Sequence, residues 1–368
     1  MKKSIFLAVA LIIFPLFFSG CSISNIAIFK PFINQSQYSS AYSISATITG
    51  QDTDAQVAQK LLPACVTVKV MPLNSSSGNF GSGVAIAEHG YIVTNFHVIK
   101  DSIGNQNYKI SVFNNGDILK EIPAIVVWHK EQIDVAILKI NEELPFVNML
   151  DRAIHPQKGN ELVYDKVIAI GTPVHEYFQN TVKFGRVSKL NCYDVSGIAI
   201  YENLIMHDAN INPGNSGGGL FDVKGNLIGL NTLGYEQSAG LFFAVPIFPV
   251  ITMLPKVIAN FSTHYQPAVL GVSGFDGICS FLANQKTGIS LYDPGFLITE
   301  ITEKKGSVGI LQVGDIILKL ELANGTTREI NNRDDLCYAL LESVVGDNVN
   351  VTINRKGNKE IKSITLTD

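Results

Sequence analysis

Short runs of β-branched and aliphatic residues, broken at close intervals by Gly, Asn and Pro, fill most of this chain. The first residue types favour strands and the second favour turns. Many short strands joined by turns are typical of barrels and sandwiches, so the pattern predicts a mostly β fold. The clearest runs are 66–70, 83–87, 91–94, 109–113, 124–128, 135–140, 167–170, 227–231 and 242–245.

The length of 368 residues allows two or three domains. A polar stretch near 263–267 separates the region of short runs from a second region that mixes strand and helix patterns. We therefore expect a β domain over 55–258, a linker over 259–267 and a small α+β domain over 268–366. Helices are predicted at 55–62, 247–258 and 333–343, and strands of the second domain at 295–301, 316–320 and 348–354.

The N-terminus has the pattern of an export signal. Lys2 and Lys3 precede an uncharged apolar stretch over 5–18, which is short for a membrane span. Small residues then lead to Cys21, in a pattern that resembles the lipobox of bacterial lipoproteins, although Phe18 stands where that motif usually has Leu. We predict a lipoprotein-type signal peptide over 1–20, lipidation of Cys21 and a flexible tether over 22–54. Ordinary secretory cleavage and an uncleaved anchor are the alternatives, and all three place the chain outside the cytoplasm.

Charge and cysteine content exclude several classes of function. The formal net charge of -4 gives no electrostatic reason to expect a nucleic-acid partner. No pair of cysteines has CxxC or zinc-finger spacing, so we expect no metal site, and no motif indicates a cofactor. Export permits a disulfide between Cys279 and Cys337, although buried free thiols fit the sequence equally well.

Three segments carry residues suited to nucleophilic catalysis: 91–99 with His97, 133–139 with Asp134, and 212–220 with Ser216. A serine hydroxyl becomes a useful nucleophile when a histidine takes its proton. A buried carboxylate on the other ring nitrogen fixes the tautomer and stabilises the imidazolium. The segments therefore predict a triad of His97, Asp134 and Ser216.

The glycines around Ser216 suit the oxyanion that such a reaction forms. A tetrahedral intermediate needs backbone N–H donors that already face it, and Gly214 leaves room for the backbone to turn them towards one point. We predict that the N–H groups of Gly214 and Ser216 form this oxyanion hole.

Each residue alone has an ordinary structural interpretation, as a histidine after a strand, a turn aspartate or a flexible glycine loop. The run 214–218 also fits G-x-S-x-G, the nucleophile elbow of α/β-hydrolases. That fold needs a histidine after the serine, where only His264 follows, and it needs parallel βαβ units. The order His97, Asp134, Ser216 favours the triad of a double-barrel protease.

The same three segments resemble the catalytic blocks of the HtrA/Deg family of chymotrypsin-like serine proteases. The stretches 81–86, 225–232 and 240–246 also resemble family segments. Phe96 and Gly219 depart from the usual pattern without removing a catalytic group. The resemblance implies a chymotrypsin-like double β-barrel, endopeptidase activity, a preference for small or medium aliphatic residues before the cut, and a homotrimer.

Residues 268–366 resemble the PDZ domain found in this family, on the pieces 269–272, 295–301, 311–318 and 346–357. Such domains bind an extended peptide at a sheet edge and hold its terminal carboxylate with loop amides. By resemblance, that loop is Leu270, Gly271 and Val272. The stretch 273–293 is longer than this pattern suggests.

These observations predict a serine endopeptidase in the periplasm or cell envelope of a bacterium, joined to the membrane through a lipid on Cys21. Its expected substrates are misfolded or exposed polypeptides, and C-terminal peptides would bind the PDZ domain. Two alternatives remain open: a PDZ-regulated protease for one specific client, and a chaperone-like binding protein with a silent site.

Overall fold

The computed structural model describes residues 43–75, 77–114, 117, 119–150, 164–194, 201–234, 240–261, 265, 267–276 and 294–368. The predicted signal peptide, Cys21, His264 and Cys279 lie outside these residues. The mostly β prediction is confirmed, and the strands form two closed barrels and one open sheet. The two barrels are those of the chymotrypsin-like fold that the resemblance implied.

The first barrel has six antiparallel strands in the order β1-β2-β3-β6-β5-β4. Closure leaves this sheet without edge strands, and its interior is filled by Val, Ile and Leu side chains. The pairing of β3 with β6 sets Thr94 opposite Ala136, so the end of one strand lies beside the start of the other. The strands are β1 Cys65–Pro72, β2 Asn79–Ala87, β3 Tyr91–Thr94, β4 Tyr108–Asn114, β5 Ile122–Lys130 and β6 Val135–Ile140.

The second barrel also has six antiparallel strands, in the order β10-β11-β12-β9-β8-β7. A long loop between β9 and β10 carries Ser216. The apolar runs in the sequence did not predict β8, β9 or β10. The sequences of β8 and β9 are more polar than those of the other strands of this barrel, and β10 has only four residues. The strands are β7 Lys166–Gly171, β8 Thr181–Asp194, β9 Tyr201–His207, β10 Gly219–Asp222, β11 Leu227–Gly234 and β12 Phe242–Pro246.

Helices lie outside the barrels. Helix α1, Asp54–Leu61, begins with a capping box in which Thr53 and Gln56 satisfy each other's backbone N–H groups. Helix α2, Phe96–Ile99, is a single turn after β3, and α3, Phe248–Ala259, follows β12. Within the described ranges, no helix is both long and apolar enough to span a membrane.

The C-terminal region forms an open antiparallel sheet in the order β13-β14-β15-β17-β18, with β16 paired to β15. Its own core includes Phe296, Ile317, Leu336 and Val351. Helix α4, Arg333–Leu341, packs Leu336 into this core and Tyr338 into the core of the barrels. The strands are β13 Val272–Asp276, β14 Phe296–Ile301, β15 Ile316–Glu321, β16 Thr327–Glu329, β17 Asn348–Arg355 and β18 Asn358–Thr365.

The segment that precedes α1 corrects the last part, 43–53, of the tether predicted over 22–54. Ser43 forms a bridge with Phe146, and its hydroxyl donates to Asn148. The Ile44 side chain is 1% exposed in the barrel core, and Ser45 donates to the Gly225 carbonyl. Residues 43–53 therefore belong to the folded body, because the burial of Ile44 favours docking over a free chain.

Candidate active site

His97 and Asp134 meet because β3 and β6 are antiparallel neighbours. His97 lies on α2, just after β3, and Asp134 directly precedes β6. The His97 Nδ1 atom lies 3.0 Å from Asp134 Oδ1 and 2.9 Å from Oδ2. With Nδ1 facing a carboxylate, the proton resides on Nδ1, and Nε2 is left free to accept a proton. From the sequence we expected this histidine to come directly from a strand. Strand β3 ends at Thr94, and His97 lies on the helical turn that follows.

The Asp134 carboxylate is fully buried and held by several donors. The backbone N–H of His97 donates to Oδ1 at 2.9 Å, and the Thr232 hydroxyl donates to Oδ2 at 2.9 Å. Asp134 also adopts a left-handed backbone conformation, with φ of 52°. Hydrogen bonds to a charged carboxylate are strong, and they compensate for its burial. The carboxylate is therefore fixed in place against the imidazole.

Ser216 lies on a loop that only glycine allows at two positions. Gly214 has φ of 98° and Gly217 has φ of 82°. A Cβ on Gly214 would lie 2.3 Å from the Thr172 carbonyl oxygen, and one on Gly217 would lie 2.2 Å from that of Ser82. Both positions therefore exclude side chains, as the sequence interpretation of Gly214 required.

The Ser216 hydroxyl donates to the Thr232 carbonyl oxygen at 2.8 Å. Because a hydroxyl has one proton, this bond directs the proton of Ser216 to Thr232 and not to His97 in the resting structure. The same Thr232 bonds to Asp134 through its own hydroxyl. One residue of β11 thus touches both Ser216 and Asp134.

The backbone on both sides of Gly214 is fixed. The Val174 N–H donates to the Pro213 carbonyl at 2.7 Å, and the Ser82 hydroxyl donates to the Gly214 carbonyl at 2.8 Å. In a trans peptide, C=O and N–H point in opposite directions, so the Gly214 N–H points away from Val174. Across the described ranges, the N–H groups of Gly214 and Ser216 have no hydrogen-bond acceptor, which leaves both available to a ligand.

Three residues at this site were not singled out from the sequence: Ser82, Asn95 and Thr232. Each acts through contacts with residues far away along the chain, so no local pattern marks it. All three do lie within segments that resemble family segments, which is the only signal that the sequence offered for them.

The predicted peptide-binding loop lies at the edge of the C-terminal sheet. Leu270 is buried, Gly271 has φ of 75°, and Val272 begins the edge strand β13. The Gly271 carbonyl accepts from the Thr302 N–H at 2.9 Å and from the Ser307 hydroxyl at 3.3 Å. These three consecutive residues lead into the edge strand β13, and α4 contacts that strand.

Known proteins resemble this chain in sequence and in fold. The trypsin-like peptidase domain family matches residues 81–230. The chain is 31% identical to chloroplastic Protease Do-like 1 of Arabidopsis thaliana, over 78% of this chain and 63% of that protein. It is 28% identical to the serine endoprotease DegS of Haemophilus influenzae, over 80% of this chain and 82% of that protein.

A solved structure of an HtrA-type protease, AlgW with a tripeptide, superposes with a TM-score of 0.59. It is 25% identical and covers 86% of this chain and 97% of that one. The double barrel, the sequence relatives and this structure lead to the same family. The chain belongs to the HtrA/Deg family of serine endopeptidases.

Proposed function

We propose that Ser216 is the nucleophile of this endopeptidase, His97 its general base and Asp134 the group that orients His97. The observation that carries the proposal is the joint contact at Thr232, whose carbonyl binds Ser216 while its hydroxyl binds Asp134. The carboxylate that binds His97 and the hydroxyl of Ser216 are thus bound to the same residue, which supports one catalytic site.

Catalysis would begin when Ser216 turns from Thr232 to His97. As the serine oxygen bonds to the substrate carbonyl carbon, its proton passes to His97 Nε2. The N–H groups of Gly214 and Ser216 would bind the resulting oxyanion. The imidazolium then protonates the amine as the C–N bond breaks, which leaves an acyl-enzyme. Water, deprotonated by His97, releases the acid product and restores Ser216.

We also propose that the enzyme works outside the cytoplasm, anchored through a lipid on Cys21, as the sequence of 1–21 suggests. This chain matches DegS of Haemophilus influenzae over most of the length of DegS. Another similar protein, from Bartonella henselae, is named as a probable periplasmic endoprotease. Mass spectrometry of the mature N-terminus tests this: a diacylated or triacylated Cys21 supports it, and an unmodified chain contradicts it.

The substrates we propose are misfolded or exposed polypeptides, cut after small or medium aliphatic residues, by an enzyme that assembles as a homotrimer. C-terminal peptides would bind as an added strand along β13, with their carboxylate at Leu270, Gly271 and Val272. Strand β13 lies at the edge of the sheet and pairs with β14 on one side. Its other side offers the backbone groups that this mode of binding needs.

Ser216→Ala provides the central test. The variant should fold with an unchanged Tm and lose casein cleavage by about 10⁵-fold or more, because triad residues act as a unit. A fluorophosphonate probe should label the wild-type protein stoichiometrically at Ser216 and leave the variant unlabelled. Casein cleavage by Ser216→Ala at the wild-type rate contradicts the triad. Failure of the probe to label wild type supports instead a silent, chaperone-like site.

A PDZ-regulated protease for one client is the second candidate, and contacts of α4 favour it. The Arg333 guanidinium donates to the Gln132 carbonyl at 3.1 Å, two residues before Asp134. Asn332, which caps α4, exchanges hydrogen bonds with Asn203 on β9. The helix beside β13 thus also contacts the turn that leads to Asp134. Cleavage rates with and without C-terminal peptides decide the matter, and an unchanged rate counts against regulation.

A further inference from the structure

Asn95 is fully buried where the two barrels meet, and its side chain does not form the hydrogen bond that is usual at its position. It occupies the position before α2 at which Asn commonly caps a helix through its own side chain. Here it makes no such bond. The Asp134 carboxylate accepts from the His97 N–H in its place, at 2.9 Å. The amide of Asn95 is therefore available for other groups.

That amide connects the two halves of the site. Its Nδ2 donates to the Asp134 carbonyl at 2.9 Å, and its Oδ1 accepts from the Gly217 N–H at 2.6 Å. Asp134 belongs to the first barrel, whereas Gly217 directly follows Ser216 in the second. One bonded group is thus the backbone carbonyl of Asp134, whose carboxylate binds His97. The other is the N–H of Gly217, the residue that follows the proposed nucleophile.

We infer that Asn95 is a positioning residue, which sets the His97–Asp134 pair and the Ser216 loop at their working distance. This inference rests on the proposed triad. Only an amide offers a donor and an acceptor at this separation on a side chain of this size. Aspartate keeps the acceptor for Gly217 and loses the N–H that Asp134 needs. Alanine loses both bonds, so the buried Asp134 carbonyl loses its donor and the Gly217 N–H keeps only its bond to the Asn231 carbonyl, at 2.8 Å.

A merely structural asparagine predicts a different outcome from a positioning one. If the bonds only stabilise the fold, their loss lowers the Tm and leaves the turnover of the folded fraction intact. If they set the geometry of the reacting groups, displacement by about 1 Å costs on the order of 10²-fold in rate. That loss should fall on kcat, because Asn95 is buried and does not touch the substrate.

The experiment compares Asn95→Ala and Asn95→Asp with Ile140→Ala, which empties a fully buried position at the far end of β6. Kinetics on a fluorogenic peptide are measured well below the Tm of the weakest variant. We expect kcat to fall about 10²-fold for Asn95→Ala and about 10-fold or more for Asn95→Asp, with KM within about twofold. Ile140→Ala should lower the Tm and keep kcat.

Proton NMR gives a second readout. The proton on His97 Nδ1 bonds to a buried carboxylate and should resonate far downfield in wild type and in Ile140→Ala. It should shift or vanish in the Asn95 variants. Should Asn95→Ala not fold, Asn95→Asp, which matches asparagine in volume, makes the same comparison.

Unchanged kcat and an unchanged downfield signal in folded Asn95 variants overturn the inference. Wild type and Ser216→Ala are measured alongside. If Ser216→Ala cleaves as well as wild type, the proposed triad fails. If Ser216→Ala is inactive while the Asn95 variants match Ile140→Ala, only the role of Asn95 fails.

Discussion

The two barrels present their reactive groups in different ways. In the first, His97 and Asp134 lie within three residues of the ends of β3 and β6, and the register of those strands sets them side by side. In the second, Ser216 lies on a long loop between β9 and β10. Strand β11 of the same barrel contacts the end of this loop, through Asn231 to Gly217 and through Thr232 to Ser216.

Bonds from the first barrel hold that loop. The Ser82 N–H donates to the Ser216 carbonyl at 2.7 Å, and the Ser82 hydroxyl donates to that of Gly214. Asn95 accepts from the Gly217 N–H. The base half of the site thus follows from local strand order, whereas the nucleophile half also depends on contacts across the interface of the barrels.

Asp134→Asn tests the base half and carries the largest expected effect after loss of Ser216. An asparagine cannot stabilise an imidazolium and favours the wrong histidine tautomer, so kcat should fall about 10⁴-fold at neutral pH. Steady-state kinetics on a peptide substrate check this. Asp222→Asn is the matched control, because Asp222 is also buried but its carboxylate accepts from Lys224 and Asn226 in the β10–β11 turn, away from the proposed triad. Equal losses in both variants contradict a special role for Asp134.

Gly214→Ala tests the nucleophile half. With φ of 98° and the Thr172 carbonyl in its path, a Cβ must displace the loop and with it the N–H that we propose for the oxyanion hole. Loss of one such donor typically costs about 10²–10³-fold in kcat. Gly225→Ala is the control: it shares a positive φ of 74°, but its Cβ would meet side-chain atoms of Ile48 and Leu61 and no backbone carbonyl among its nearest neighbours. Retained kcat in Gly214→Ala removes Gly214 from the oxyanion hole.

The base half is also the half that the sequence predicts best. A histidine just after one apolar run and an aspartate just before another need only antiparallel pairing to meet, so His97 and Asp134 were within reach. Ser216 was found from its glycines, since Gly214 and Gly217 mark backbone that excludes side chains. Ser82, Asn95 and Thr232 were not, because their partners lie far along the chain and are mostly backbone atoms.

Polar segments limited the prediction of the fold in the same way. Strand β8, Thr181–Asp194, includes several charged and polar residues that hide its strand pattern. Residues 43–53 look like a tether from composition, yet Ile44 fills a site in the barrel core. Only the folded barrels create that site, so no local feature of 43–53 could reveal it. Whether Cys279 pairs with Cys337 stays a prediction.

As the pH falls, we expect the half of the site with Ser216 to lose stability before the half with His97 and Asp134. This is the smallest effect that we predict. His207 ends β9, just before the loop of Ser216, and its ring is fully buried. Burial lowers its pKa to about 4 from an ordinary value of 6.5, and the nearby Asp208 only partly offsets this. Between these values the unfolded chain binds the proton and the folded chain does not. Stability contributed by neutral His207 is therefore complete above pH 6.5 and lost as the pH falls towards 4, by about 3 kcal/mol.

Urea unfolding of wild type and His207→Gln across this range measures the effect. The free energy of unfolding should fall less steeply with acid in the variant, whatever the packing cost of the substitution at pH 7. Hydrogen exchange locates it: protection should decrease in β9 and β12 at a higher pH than in β3 and β6. Equal pH slopes in both proteins contradict the role of His207. Acid loosening that begins in β3 and β6 contradicts the prediction that the half of the site carried on a loop is the weaker one.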